Sequence, residues 1–251
     1  MQNYIIRPFE NFEDFEQAEQ LQNVTWSAVE TVPSNMLIAM VHHGAIGLGT
    51  FEGEGSAGRM VGFAFSFLAP TNLPGAQHGL SHHSHMAAVL PELRGRGIGL
   101  QLKHAQAKAV LAQGYNLMTW TYDPLEARNA NLNITKLGCI CRMYIPNCYG
   151  EMRDGLNAGL PSDRFEVEWW LDKNNEELRI ENGELNGEVR KIEIPADFQA
   201  IKKTDMAAAK AIRLHTRAQF EQAFADGFVV TGFEMTPTHG IYVLTLPLTQ
   251  I

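Results

Sequence analysis

Apolar and polar positions follow two rhythms along this chain, and the change from one to the other marks its elements. Tyr4 to Arg7 reads as a short strand stopped by Pro8. Phe12, Phe15, Ala18, Leu21 and Val24 then recur among acids and glutamines, which predicts an amphipathic helix. A second helix is expected over Asn35 to His43, with Ser34 as its cap after Pro33. Ala45 to Phe51 and Met60 to Leu68 predict two strands, with the glycine-rich acidic stretch Glu52 to Gly58 as the hairpin loop. A turn-rich segment from Pro70 to Gly79 leads into a strand over Leu80 to Val89. Ile98, Leu102, Ala105, Ala109 and Ala112 trace a helix face closed by Gly114. Leu117 to Tyr122 predicts a strand ended by Asp123-Pro124, Arg128 to Leu137 a helix stopped by Gly138, and Ile140 to Ile145 and Phe165 to Leu171 two further strands.

The order β, α, α, three strands, then α, β, α, β, β implies an α/β fold with a sheet of mixed direction. From Asp172 to Glu188 the chain turns polar, as a linker or exposed hairpin would. Beyond it lies a small β-α-β-β unit: a strand over Val189 to Ile194, a helix opened by Asp205 and carrying Met206, Ala209, Ile212, Phe220 and Phe224, and the pair Phe228 to Met235 and Gly240 to Leu246. The expected organisation is a domain over 1–171, a connection over 172–188 and a small α+β subdomain over 189–251.

Composition narrows the function. Of the 251 residues 45% are hydrophobic and 19% charged, as in a globular chain that folds throughout. The formal net charge of -8 argues against nucleic acid as a partner. A start of Met-Gln-Asn-Tyr-Ile-Ile-Arg-Pro lacks the pattern of a signal peptide, and no apolar run approaches the roughly 20 residues that cross a bilayer, so a cytoplasmic protein without a membrane partner is expected. Cys139, Cys141 and Cys148 are odd in number and close together, which suits small packing residues better than a disulfide framework or a shared metal.

The segment Arg94-Gly95-Arg96-Gly97-Ile98-Gly99 follows a strand and opens a helix. Glycines there turn tightly and expose backbone N–H groups at a helix N-terminus, and Arg94 and Arg96 add charge, so the segment reads as an anion site. No Gly-Lys-Ser/Thr follows, the glycines lack the dinucleotide-binding spacing, and the loop lies mid-chain.

The spacing Arg94-x-x-Gly97-x-Gly99 resembles the pyrophosphate loop of the GNAT superfamily of acyl-CoA N-acyltransferases, and the element order over about 1–171 is similar to that fold. Ser84-His85-Met86, Val89-Leu90-Pro91, Thr119 to Leu125, Arg128-Asn129-Ala130, Lys136-Leu137-Gly138, Tyr149-Gly150 and Pro161 to Phe165 resemble a predicted bacterial subgroup of that superfamily. Some relatives of that subgroup sit beside N-acylamino-acid racemases and acylate amino acids. The resemblance implies a mixed, mostly antiparallel twisted sheet, with the C-terminal β-α-β-β unit as an extension outside the generic fold. It implies that the amides of Arg94, Gly95, Arg96, Gly97, Ile98 and Gly99 hold the pyrophosphate of coenzyme A, and that Ala87, Ala88 and Val89 pair main-chain groups with the pantetheine arm. It also implies transfer of an acyl group, acetyl or succinyl, from acyl-CoA to a primary amine of a small molecule such as an amino acid.

The chemistry needs a base, an oxyanion donor and a proton for the departing thiolate. Val89 N–H is the positional candidate for the oxyanion. Many GNAT enzymes place a tyrosine four residues before the glycine of a Gly-Phe pair as the proton donor; here that position is Ile134, and Cys139 stands for the phenylalanine. Tyr144 and Tyr149 are the nearby substitutes, each also readable as a core or rim residue, with Tyr149 equally suited to contacting substrate. Among His78, His82, His83 and His85, the last two share a strand face, and His85 is the candidate base or substrate contact; hydrogen-bonded strand histidines are the alternative, and no metal set is assigned. Asp123 is either a functional carboxylate at a strand end or a turn cap. Asn129 and Asn133 are either pantetheine contacts or helix caps. Arg164 is either the holder of a substrate carboxylate or, with Asp163, a structural ion pair. A non-catalytic acyl-CoA sensor on the same fold is the second reading, and the C-terminal unit is free to complete the pocket, cap the core or pair with a second chain as a homodimer.

Overall fold

The computed structural model describes residues 4–26, 31–53, 58–150, 158–172 and 188–247. The chain forms two compact units, Met1–Met118 and Thr119–Ile251. Nearly all of the expected linker over 172–188 lies outside the described residues, as does the tip of the hairpin loop at 54–57.

In the first unit β1 (Tyr4–Pro8), β2 (Ile46–Glu52), β3 (Arg59–Pro70) and β4 (Leu80–Val89) lie side by side in chain order, each antiparallel to the next. Helices α1 (Phe12–Thr25), α2 (Ser34–His42) and α3 (Ile98–Ala112) complete it. On α1 the core side differs from the expected stripe. Phe15, Ala18 and Leu21 are buried, but Phe12 and Val24 are 55% and 61% exposed, while Asp14 and Gln22 are fully buried. A spacing of three slips by about 60° per step on a helix of 3.6 residues per turn, so the ends of such a stripe rotate out of the core. The face that remains in register is 14, 15, 18, 21 and 22. Asp14 is tolerated inside because both oxygens meet Arg7 at 2.6 and 3.0 Å and one also accepts Glu10 N–H.

Ser34 is the first residue of α2 rather than its cap; Pro33 occupies the cap position, and Glu19 from α1 accepts the Ser34 N–H at 2.6 Å. On α3 the buried set is Ile98, Leu102, Lys103, Gln106, Ala107 and Val110, whereas Ala112 is exposed. Two polar residues therefore occupy the face that the alanines were expected to fill.

In the second unit the strands run in the order β5 (Leu117–Tyr122, entering from the first unit), β7 (Arg164–Trp170), β6 (Ile140–Ile145), β9 (Val229–Met235), β10 (His239–Thr245) and β8 (Val189–Pro195). The β6–β7, β6–β9, β9–β10 and β10–β8 pairings are antiparallel. The expected helix over Arg128 to Leu137 begins instead as α4 (Ala127–Ala130) and continues as a π-helical turn over Asn131–Lys136. The C-terminal unit has two helices where one was expected. Asp197 caps α5 (Phe198–Thr204) by accepting Ala200 N–H, and Asp205 caps α6 (Met206–Ala225) by accepting Ala208 N–H, each at 2.9 Å. The first is only seven residues long, too short for periodicity to reveal.

Phe220 of α6 centres the core of this unit. Its ring lies 4.7 Å from Phe165, 5.2 Å from Tyr242 and 6.0 Å from Tyr144, centroid to centroid, and is fully buried. Phe220→Ala is expected to cost about 3–5 kcal/mol, read as a lowered urea midpoint with an unchanged denaturant slope.

Candidate functional site

The glycine loop is built as its spacing predicts. Gly95 and Gly97 have φ of 81° and 83°, left-handed values that side-chain-bearing residues rarely adopt. Gly97 is the N-cap of α3, and no side chain caps that helix end. The first N–H groups of a fifteen-residue helix therefore point outward beside the exposed Arg94 and Arg96. Arg94 Nε reaches the Val89 carbonyl at 3.3 Å, tying the loop to the end of β4.

Leu90 N–H donates to Val61 O at 2.9 Å, and the ladder is regular from there to Met86. Polar groups alternate in direction along a strand. Ala88 accordingly pairs with β3, while Ala87 and Val89 turn their N–H and carbonyl groups to the other side of β4. Of the three residues expected to meet pantetheine, Ala88 is thus engaged with β3.

The β4 histidines divide between two environments. His82 is fully buried, its ring nitrogens 3.2 Å from Ser66 Oγ and 2.8 Å from Gln113 Oε1; burial lowers its pKa, a shift that Gln113 opposes. His83 and His85 share a face, as expected, with rings 6.3 Å apart and both against Phe67. Burial, with the positive charge of neighbouring His85 and Lys103, pushes His83 down to about 4. Shielding from solvent also lowers His85, which still reaches the surface. Both rings are thus held neutral at neutral pH, the form that accepts a proton. Beneath them Lys103 Nζ donates to Ser84 Oγ at 2.7 Å and Ser84 donates to Gln106 at 2.9 Å, a buried polar group that the apolar pattern did not reveal. His78 stands apart in the turn before β4, with a φ of 58°.

In the second unit, Asp123 acts as a turn cap: one oxygen accepts Leu125 N–H at 2.8 Å, and the other meets Arg213 of α6. Arg213 is 1% exposed, and its Nε and Nη1 have no hydrogen-bond partner among the described residues. Arg164 is buried too, donating to the Asp163 carbonyl at 2.9 Å with its Nη1 3.9 Å from Asp123 Oδ2. Its guanidinium lies 5.4 Å from the centre of the Tyr149 ring, and Tyr149 is half exposed with its hydroxyl 2.8 Å from Thr121 Oγ. Arg164 and Tyr149 are therefore brought together.

Tyr144 is placed differently. Its hydroxyl donates to Asp163 at 2.7 Å, its ring packs against Phe165 and Phe220, and burial followed by the Asp163 charge raises its pKa strongly. That geometry suits a structural hydroxyl better than a proton donor to a thiolate. The ion pair expected between Asp163 and Arg164 is instead one between Asp163 and Arg217, at 2.9 and 2.5 Å. Asn129 is exposed at the start of α4, whereas Asn133 is buried and its carbonyl accepts Cys139 N–H. Ile134 is fully buried. Cys139 and Cys141 are buried, Cys148 is half-buried, and no disulfide joins them. Among the described residues no cluster of three His, Cys, Asp or Glu is arranged to hold a metal, and no helix is long and apolar enough to cross a membrane.

No protein-family model matches this sequence, and no curated protein does. Solved structures do match. The NatC complex bound to Gag peptide and CoA aligns with a TM-score of 0.53 at 16% identity, over 68% of this chain and 99% of that one. Arabidopsis thaliana NAA60 with a bisubstrate analogue aligns at 0.52 and 14%, over 67% and 99%. Aminoglycoside 6'-acetyltransferase type Ii aligns at 0.50 and 19%, over 68% and 99%. The chain thus has the GNAT acetyltransferase fold, with the mixed, mostly antiparallel sheet expected of it. That correspondence accounts for about two thirds of its length.

Burial pushes the Asp163 pKa up, but the hydrogen bonds from Arg217, Tyr144 and Asn147 N–H outweigh it and hold the carboxyl below the usual carboxylate range. A depressed carboxylate contributes stability above its unfolded pKa and loses it as pH falls through the folded value. Asp163→Asn is expected to cost about 3 kcal/mol at pH 7, with the gap from wild type narrowing below about pH 4, in urea titrations at each pH.

Proposed function

We propose that this protein transfers an acyl group, acetyl or succinyl, from acyl-CoA to the primary amine of a small molecule such as an amino acid. The observation that carries the reading is the uncapped N-terminus of α3 behind Gly97, flanked by the exposed Arg94 and Arg96, on a GNAT fold. Amides from Arg94 to Gly99 are suited to the pyrophosphate. Ala87 and Val89 are suited to the pantetheine, with Val89 N–H as the oxyanion donor and Asn129 as a side-chain contact. His85, neutral and near the surface, is the base candidate, and Arg164 and Tyr149 are the candidates for contacting the acceptor. Asp123 and Tyr144 support this arrangement by fixing Arg213 and Asp163, and Asn133 holds the π-helical turn from inside.

Two observations favour a second reading, a sensor that binds acyl-CoA without turnover. Ile134 is buried where many GNAT enzymes have a catalytic tyrosine, and the Tyr144 hydroxyl is committed to Asp163. Thiol release from acetyl-CoA and succinyl-CoA across an amine panel separates the two. Release with at least one amine is expected, and His85→Ala should lower it by roughly 10²–10⁴ if His85 is the base. Binding of the thioester with release by none would leave the sensor.

The loop itself is tested by ligand-induced stabilisation. Coenzyme A at 100 times its dissociation constant should add about 2.7 kcal/mol. Gly97→Val should abolish this, since a β-branched residue at that φ is strained and would fill the anion site. Arg94→Ala should weaken binding by about tenfold or more. Stabilisation by NAD or ATP but not by coenzyme A would remove the assignment of the loop.

A further inference from the structure

At the start of β8 (Val189–Pro195) Leu246 N–H donates to Glu188 O at 3.2 Å, and at its end Ala196 N–H donates to Thr238 O at 3.1 Å. Successive residues of an antiparallel strand turn their N–H and carbonyl groups to opposite sides. The even-numbered positions of β8 therefore bond β10, and Val189, Lys191, Glu193 and Pro195 direct their main-chain groups outward. β8 stands last in the strand order, and among the described residues no further strand pairs with that outer side. Side chains alternate as well. Ile192 and Ile194 are buried in the core of the unit, whereas Val189, Lys191 and Glu193 are exposed on the other face.

An open edge is a template for another strand, and charges placed on it limit which strand fits. Two copies of β8 related by a two-fold axis through Ile192 run antiparallel, with the same surface serving both partners. Lys191 of each copy then lies opposite Glu193 of the other, and Val189 opposite Pro195. The proline lacks an N–H, but it falls at the end of the pairing. On the buried face Ile192 meets its counterpart, and Arg190, already held by Asp226 at 2.5 Å, lies opposite Ile194. Moving the axis to Lys191 sets that lysine against itself and Glu193 against Val189, and moving it to Glu193 sets two carboxylates together. Of these three registers, the one centred on Ile192 alone opposes unlike charges. Lys191 has Glu234 at 3.7 Å, but both side chains are more than half exposed, so the contact contributes little and leaves the lysine able to change partner. The edge strand of the first unit, β1, carries no acid, and its Arg7 is tied to Asp14, so it offers no such self-matching.

We propose that β8 is a self-complementary edge through which two copies of this chain pair antiparallel, centred on Ile192 and selected by the Lys191 to Glu193 contacts. The proposal does not depend on the acyltransferase reading. A strand pair of this length is a small interface, so association in the micromolar range is expected, and sedimentation velocity of the full-length protein across that range should show monomer passing to dimer as concentration rises. Lys191→Glu or Glu193→Lys places like charges opposite each other at both symmetric positions and should weaken association by about tenfold or more.

Both positions are exposed, so each variant should keep the circular dichroism and urea midpoint of wild type. Two further measurements isolate the register. The single variants mixed in equal amounts again oppose unlike charges and should associate with each other, although neither associates well with itself. The double exchange, Lys191→Glu with Glu193→Lys, restores the contacts with their signs reversed and should recover self-association. A dimer formed through another surface would show neither pattern. Wild type that stays monomeric, association that survives both single reversals, or mixed variants that fail to associate would each overturn the proposal.

Discussion

A carboxylate with no solvent contact has to be met by donors from the protein, and Asp163 is met from three directions. Tyr144 of β6 donates to it, Arg217 of α6 grips it with two nitrogens, and Asn147 N–H reaches it from the turn between β6 and β7. Removing a partner from such a group leaves a buried charge unmatched, which is far costlier than the pair's net contribution to stability. The arrangement therefore specifies position. It sets the end of β6 against the start of β7, where Tyr144 faces Phe165 and Ile145 faces Arg164, and it fixes the aromatic face of α6 over Phe165. Asp123 and Arg213 repeat the device one strand away, so α6 neutralises two aspartates rather than merely covering a sheet. Arg164 inherits its place from both, lying next to one aspartate in sequence and near the other in space.

The glycine loop depends on the opposite principle. Its helix end is left open: no side chain among the described residues caps the start of α3 at Gly97, and at Gly95 and Gly97 no described heavy atom beyond the chain neighbours comes within 4 Å of where a side chain would begin. Helix ends are ordinarily capped by side chains or water. An open end beside two exposed arginines keeps its donors available for an external anion, and the left-handed backbone that shapes it is one only glycine adopts without cost.

This contrast explains what could be read in advance. Strands came from runs of apolar residues and the loop from glycine spacing, both local and visible in one dimension. Residues missed or misplaced were polar ones in apolar positions: Asp14 and Gln22 on α1, Lys103 and Gln106 on α3, Arg213 on α6. Apolar periodicity cannot see them, because their burial depends on partners distant in sequence; Arg213 meets a carboxylate ninety residues earlier. A signal did exist for Arg213. Ala209, Arg213, Thr216 and Phe220 are spaced 4, 3 and 4, a continuous helix face with one charged member. At the site, the shared face of His83 and His85 followed from strand alternation. That Tyr144 is tied to Asp163, and Asp163 to Arg217 rather than Arg164, required the fold.

Charge is distributed unevenly within each unit. The chain is acidic as a whole, with a net charge of -8, so its long-range field does not gather anions. Positive charge is concentrated instead. Arg94 and Arg96 flank the helix end, and Arg164, Arg213 and Arg217 gather near Asp123 and Asp163. Charge placed locally against an acidic background selects a ligand by geometry more than by long-range attraction.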